Sequence, residues 1–179
     1  MTDAFGQFII HHSSFIIYAY GMLKRLLAAV YRRVPVSLRR GMVLLTQPRF
    51  TVTAGAVVVN EQGRVLLVKH VFRPGSGWGV PGGFINQGEQ AEMAARRELR
   101  EEIGLELDRI ELAFVRTVEQ VNQLEIIFRC SASGTPRPRN IEIHRVDWFE
   151  LDKLPDDLPQ AQRQTIQRAL RTDGPAKTG

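Results

Sequence analysis

Three glutamates within five residues, Glu98, Glu101 and Glu102, form the sequence's clearest candidate for chemistry. At about 100° per residue, a helix through this stretch places them in one sector of roughly 100°. Carboxylates on one helix face suit Mg²⁺ or Mn²⁺, ions that also bind substrate phosphates. They equally suit a solvated helix face, where a pair of like charges at i, i+4 costs only about 0.2–0.5 kcal/mol. Spacing alone leaves both interpretations open.

A helix from Glu89 to Ile103 is predicted to position these carboxylates. Gly88 precedes it and Gly104 follows it, as start and stop residues should. The residues expected to face the core recur at helical spacing: Ala91, Ala95, Leu99 and Ile103. Upstream, the glycine-rich run 78–83 lets backbone approach a ligand closely, and the helix start after it favours phosphate. Trp78 in this run either stacks on a base or packs beneath the loop.

The complete pattern resembles the Nudix box. It reads Gly83, five residues, Glu89, seven residues, Arg97-Glu98-Leu99, one residue, Glu101-Glu102, one residue, Gly104-Leu105, without a departure. The resemblance covers about residues 50–171 and implies an α/β fold, the α/β/α sandwich with a mixed sheet. It also implies a hydrolase of phosphoric anhydride bonds. The expected activity is that of a Mg²⁺-dependent or Mn²⁺-dependent pyrophosphohydrolase, which cleaves a nucleoside diphosphate linked to another moiety X.

The resemblance assigns roles residue by residue. The metal-binding and catalytic positions are Glu98, Glu101 and Glu102, with the Gly82 carbonyl as an additional metal ligand. Glu98 and Glu102 are both candidates for the general base. Glu142 is a further candidate ligand, from the far side of the cleft. Arg97 is expected to pair with Glu89 and hold the loop against the helix, a structural role. The substrate contacts are assigned to Gly82, Gly83 and Trp78.

A second function class competes with hydrolysis. In it, the same fold binds or senses nucleotides without cleaving them. Degenerate boxes are typical of that class, whereas this box is intact, which favours the hydrolase. The expected partner is a small nucleotide-derived substrate, and because dimerisation is common in the family, a homodimer is compatible with the sequence.

The chain around the box predicts one α/β domain over residues 50–171. Residues 51–59 and 64–69 are predicted to form a buried hairpin around the turn 60–63. The remaining elements are strands over 110–116, 124–130 and 141–149, followed by a closing helix over 160–171. Cys130 is the single cysteine, so it fits a core position and a reducing, cytoplasmic compartment. Residues 172–179 have the composition of a disordered tail.

Residues 1–49 are predicted to form a basic, amphipathic helical extension. Up to Arg49, seven Lys and Arg residues face Asp3 alone. Helices are expected over 23–34 and 36–46, separated by Pro35. The apolar stretch from Phe8 to Leu23 is interrupted and shorter than the roughly 20 residues that a membrane span needs.

Three interpretations of this extension remain open. One is a helical hairpin packed on the domain or on a second subunit. Another is peripheral contact of residues 8–46 with an anionic membrane surface. Binding to RNA phosphates is less favoured.

Overall fold

The computed structural model describes residues 21–73 and 75–171. The first part of the predicted extension, including residues 8–20 of the membrane-contact segment, and the predicted tail 172–179 lie outside these residues. Contacts divide the chain into two units, residues 1–49 and 50–179, which are described separately.

The described part of the first unit is helical, as predicted. Residues 21–33 form α1, and Val36–Thr46 forms α2 with Pro35 as its N-cap residue. Proline fixes its own φ near −65° and lacks an N–H, so it ends one helix and begins the next. No residue of α2 is buried.

The described part of the second unit contains seven strands and two α-helices, with a short 3₁₀ helix over Glu119–Val121. They are β1 (Thr51–Val58), β2 (Val65–His70), β3 (Trp78–Gly79), β4 (Gly82–Phe84), α3 (Ala91–Ile103), β5 (Glu106–Val118), β6 (Gln123–Ser133), β7 (Ile143–Phe149) and α4 (Gln160–Leu170). One sheet has the order β4-β1-β6-β5 and is mixed, because β1 runs parallel to β6 and antiparallel to β4. The other has the order β3-β2-β7 and is antiparallel. The predicted α/β class and mixed sheet are confirmed.

The predicted hairpin of residues 51–59 and 64–69 is wrong in its pairing. The turn is present, since the Asn60 N–H donates to the Arg64 carbonyl at 3.1 Å. Beyond a single bridge between Val59 and Val65, however, the two strands separate into different sheets. Both edges of β1 are already occupied, by β4 and by β6. No edge of β1 therefore remains for β2.

Two cores lie on opposite faces of β1 and β2, because successive strand side chains point to opposite sides. Ala56, Val58 and Leu66 pack in the cluster that contains α3 residues Leu99 and Ile103. Val57, Val65 and Leu67 pack in the other cluster, with Ile166 and Ala169 of α4. The strands are therefore buried on both faces between the two helices. Cys130 is buried in the first cluster, as predicted, and burial raises its pKa to about 12.

Candidate active site

Helix α3 carries the three glutamates at very different depths. It begins at Ala91, two residues later than predicted, and ends at Ile103, where Gly104 adopts a left-handed φ of 70°. Its buried stripe is the one that packs in the first core. Glu102 lies beside this stripe and is only 4% exposed. The side chain of Glu98 is 16% exposed and that of Glu101 is 58% exposed.

Glu102 is a buried carboxyl group whose charge is incompletely compensated. Burial, followed by the nearby charge of Glu98, raises its pKa to about 8, and Glu142 adds to the rise. A backbone hydrogen bond from Gly82 and the charge of Arg73 act in the opposite direction. Its Oε2 atom is buried without a hydrogen-bond partner. A buried ionised carboxylate needs a counter-charge, so this position favours a cation.

Glycines of β4 bring the backbone directly against the acidic side chains. A Cβ on Gly83 would lie 2.4 Å from the carboxyl carbon of Glu98. Gly82 has a φ of 147°, and a Cβ there would lie 2.2 Å from the Ala54 carbonyl oxygen. Gly82 also pairs with Gly55 across the β1–β4 ladder. Gly83 therefore allows the close approach of Glu98, and Gly82 allows β4 to pair with β1.

Arg97 ties the loop before α3 to the helix. Its Nε donates to Glu89 Oε1 at 2.8 Å and its Nη2 to Glu89 Oε2 at 2.9 Å, a bidentate pair. Nη2 also donates to the Phe84 carbonyl at 3.0 Å. Hydrogen bonding to Arg97 lowers the pKa of Glu89 to about 2. This is the structural pairing that the resemblance implies.

The same guanidinium also contacts two of the three predicted metal ligands. Arg97 Nη1 donates to Glu98 at 2.6 Å and to Glu101 at 3.4 Å, whereas Glu102 has no contact with it among the described hydrogen bonds. Within residues 21–73 and 75–171, no three His, Cys, Asp or Glu side chains are already arranged around a common metal position. Glu98 and Glu102 meet at the Gly82–Gly83 backbone, while Glu101 faces outward.

The donor set nevertheless fits a hard divalent cation. Glu98, Glu102 and the nearby Gly82 backbone offer oxygen only, and Glu102 Oε2 has no other partner. Glu142 is exposed, just before β7, and its charge acts on Glu102. Mg²⁺ binds through one or two carboxylates and keeps several waters, so two converging carboxylates are sufficient to anchor it.

Trp78 is not available for stacking on a substrate, which corrects its assignment as a substrate contact. Its ring is 5% exposed and packs edge-on against Phe149, with ring centroids 5.2 Å apart. Lys69 and Arg145 lie over the indole at 5.6 and 6.0 Å. The indole anchors the loop from beneath, where β3 pairs with β2.

A small cavity of about 90 Å³ opens beside the Gly82–Gly83 backbone. Its lining includes Arg73, Arg116, Gln123 and Glu125, none of which the sequence reasoning assigned individually. Arg116 pairs with Glu125 at 2.6 Å, and Gln123 Nε2 donates to Thr53 Oγ1 at 2.9 Å. Arg73 follows β2, Arg116 lies on β5, and Gln123 and Glu125 lie on β6, so no local pattern in the sequence marks them together.

Arg73 and His70 connect this cavity to Glu102. Arg73 is largely buried, its Nη1 has no hydrogen-bond partner, and the charges of Glu102 and Glu125 both act on it. His70 Nε2 lies 4.0 Å from Glu102 Oε1 and is also unpartnered. Burial, reinforced by Arg73, lowers the pKa of His70 to about 4, so the imidazole is neutral at pH 7. Arg73 is therefore the cationic group between the acidic centre and the cavity.

Arg97→Lys is expected to lower kcat about 10-fold to 100-fold. Lysine keeps the charge but cannot form the fork that engages Glu89, Glu98 and the Phe84 carbonyl together. Steady-state kinetics would measure the loss. Arg100→Lys is the matched control, since Arg100 lies on the same helix in an exposed pair with Glu106. Equal kinetics in both variants would contradict a positioning role for Arg97.

Glu102 is expected to make the stability of the metal-free protein depend on pH. Its folded pKa of about 8 lies above the ordinary pKa of 4.5 for a glutamate, so folding favours the protonated form. The raised pKa therefore lowers the free energy of unfolding. This loss is absent below pH 4.5, develops as pH rises towards 8 and is on the order of 3 kcal/mol at pH 7. Denaturant unfolding of wild type and Glu102→Gln, with chelator and across this range, would show the variant gaining relative stability as pH rises. A constant difference between the two would contradict the assignment.

Comparison with known proteins agrees with this geometry. A family model for the NUDIX domain matches residues 49–169. The chain is 30% identical over 129 residues to a MutT-like protein of Streptomyces ambofaciens, covering 72% of this chain and 82% of that protein. It is 34% identical over 111 residues to the m7GpppN-mRNA hydrolase dcap-2 of Caenorhabditis elegans, covering 59% of this chain but only 14% of that protein.

A solved structure extends the match to three dimensions. The MutT NUDIX hydrolase of Burkholderia pseudomallei superposes with a TM-score of 0.61 at 32% identity, covering 68% of this chain and 98% of that one. The chain therefore belongs to the NUDIX domain family. It is a Nudix hydrolase, an enzyme that acts on pyrophosphate bonds, and members of this family generally use divalent metal ions.

Proposed function

We propose that this protein is a Mg²⁺-dependent or Mn²⁺-dependent pyrophosphohydrolase that cleaves the diphosphate of a nucleoside diphosphate linked to another moiety X. The observation that carries the proposal is the buried carboxyl group of Glu102, whose Oε2 atom has no hydrogen-bond partner, beside Glu98 at the glycine backbone of β4. The name of the relative dcap-2 describes a hydrolase of m7GpppN-mRNA, which supports a substrate with a nucleoside joined through phosphates.

Some residues of the site would bind the cation and the substrate, and others position them. A bound divalent cation would neutralise the diphosphate, acidify a water and fix the geometry of the reacting groups. Glu98 and Glu102 would hold it, and either carboxylate could accept the proton of the attacking water. Arg73 can donate its unpartnered Nη1–H to a phosphate oxygen. Arg97 fixes Glu98 while leaving Glu102 free of ion pairing.

A substrate screen tests the proposal directly. Nucleoside triphosphates, dinucleoside polyphosphates, nucleotide sugars and capped RNA would be incubated with the full chain and Mg²⁺ or Mn²⁺, with released phosphate and pyrophosphate measured. We expect turnover of at least one class, abolished by chelator and restored by metal. Tight nucleotide binding without turnover under any metal would instead favour the non-catalytic binding module.

Arg73→Gln is expected to lower kcat/KM for the substrate found in that screen by about 10-fold to 100-fold, a loss of about 1.4–2.7 kcal/mol of transition-state stabilisation. The half-buried Arg73 lines the cavity and the charges of Glu102 and Glu125 both act on it, so glutamine removes the cation while keeping a donor. Arg109→Gln is the matched control, because Arg109 is exposed on β5 and absent from the cavity lining. An unchanged kcat/KM for Arg73→Gln would remove Arg73 from the phosphate-binding role.

A further inference from the structure

The described part of the first unit has an excess of positive charge. Residues 21–49 contain seven Lys and Arg residues and no Asp or Glu. They are Lys24, Arg25, Arg32, Arg33, Arg39, Arg40 and Arg49. The hydrolytic site is built entirely from the second unit, so the proposed reaction does not account for this charge. A unit with this excess of positive charge attracts polyanionic surfaces.

The same helices expose an unusual amount of apolar side chain. On α1, the side chains that are 51–63% exposed are Met22, Leu23, Leu26, Leu27, Val30 and Tyr31. On α2, those that are 54–85% exposed are Val36, Leu38, Met42, Val43, Leu44 and Leu45. Isolated exposed leucines are ordinary, but twelve exposed apolar side chains on two successive helices, four of which line one groove, mark a site of interaction.

Basic and apolar groups also meet in one groove between these helices. A cavity of about 420 Å³ is lined by Tyr31, Val36, Val43 and Leu44 together with two arginines, Arg39 and Arg40. The Arg39 guanidinium lies 5.3 Å from the centre of the Tyr31 ring. A groove lined by both apolar side chains and arginines matches a ligand that has an acyl chain and an anionic head group.

Charge and polarity together select one kind of partner. A second copy of this unit would bring the same excess of positive charge, so pairing of the two faces would be repulsive. RNA would satisfy the basic residues but gains nothing from twelve exposed apolar side chains. The surface of an anionic bilayer satisfies both, because apolar side chains enter the acyl boundary while Lys and Arg remain at the head groups. In the described part of the chain, no helix is long and apolar enough to cross a membrane.

We propose that residues 21–49 bind the surface of an anionic lipid bilayer, with α1 and α2 lying in the interface. The Nudix domain would then be held at the membrane through its N-terminal unit. This inference is independent of the substrate, since none of the residues of the acidic centre or its neighbouring cavity belongs to residues 21–49.

Vesicle co-sedimentation of the full chain tests the charge requirement. Vesicles of phosphatidylcholine alone would be compared with vesicles containing about one third phosphatidylserine. We expect at least about tenfold stronger binding to the anionic vesicles, and weaker binding as salt screens the attraction. Equal binding to both vesicle types, or none to either, would overturn the proposal.

Two sets of substitutions separate lipid from other polyanions. Arg39→Glu with Arg40→Glu should reduce binding to anionic vesicles at least about tenfold. The control, Arg109→Glu with Arg137→Glu, makes the same charge change at exposed sites of the second unit and should bind nearly as wild type.

Leu26→Ser with Leu45→Ser keeps every charge but removes apolar groups, and it should also weaken vesicle binding. Wild-type binding by this pair would overturn membrane insertion and leave a purely electrostatic partner such as RNA. Unchanged circular dichroism and unchanged hydrolysis in solution would show that the variants are folded.

Discussion

Glu102→Gln is expected to lower kcat by about 10³-fold or more, with the fold retained. Glutamine preserves the shape of the side chain but removes the negative charge that would bind the cation. A metal-bound site supplies several kcal/mol of transition-state stabilisation, and each 1.36 kcal/mol is a factor of ten in rate. Glu102 is only 4% exposed and its Oε2 has no hydrogen-bond partner, so its negative charge is the one that a cation would compensate.

Glu98→Gln should produce a similar loss, since Glu98 is the carboxylate against the Gly83 backbone. A smaller loss is expected for Glu101→Gln, because that side chain is 58% exposed and only 3.4 Å from Arg97. Glu92→Gln is the matched control, as an exposed glutamate in the first turn of the same helix. The measurement is kcat on a confirmed substrate with Mg²⁺. Full turnover in both Glu98→Gln and Glu102→Gln would refute the metal site.

Binding measurements on the same variants separate hydrolysis from nucleotide sensing. If the protein is a hydrolase, isothermal titration should show that Glu102→Gln weakens Mg²⁺ binding along with turnover. A nucleotide-binding module would keep its nucleotide affinity in all three glutamate variants and would show no turnover in wild type.

The helix that carries these carboxylates could be predicted because its signals are local. The spacing of Ala95, Leu99 and Ile103 predicted the buried face of the helix, and Gly104 predicted where the helix ends. The depth of each glutamate could not be predicted in this way. Rotation about the helix axis places Glu101 and Glu102 in one sector, but whether a sector is buried depends on β4 and on the side chain of His70, which are distant in sequence.

The pairing of β1 could not be predicted for the same reason, because it depends on strands that are distant in sequence. The residues of β1 and β2 were identified, but a short turn between two apolar strands favours a hairpin unless other strands compete for the edges. Here β4 and β6 occupy both edges of β1. The cavity residues Arg73, Arg116 and Glu125 were missed for a related reason, because they lie on three separate segments that only the folded chain brings together.

Gly82→Ala is expected to destabilise the protein. A φ of 147° is one that residues with a Cβ rarely adopt, and the new Cβ would lie 2.2 Å from the Ala54 carbonyl oxygen and 2.8 Å from the Gly55 Cα. Both obstacles are backbone atoms of β1, so relief requires the β1–β4 ladder to open. We expect a loss of about 3 kcal/mol in the free energy of unfolding, which lowers Tm by about 10 °C for a chain of this size. Thermal and denaturant unfolding would measure it.

Gly83→Ala, one residue further, is expected to damage activity more than stability. The atoms that its Cβ would meet, at 2.4–2.7 Å, are the carboxyl group of Glu98, which can move because it ends a flexible side chain. Glu98 would be displaced from the metal position, lowering kcat by about 10²-fold while Tm changes little. Gly41→Ala, with no atom within 4 Å of the new Cβ, lies inside α2, so it should leave kcat unchanged without lowering Tm. If Gly83→Ala lost stability as Gly82→Ala does and kept its kcat, Gly83 would serve the sheet and not the placement of Glu98.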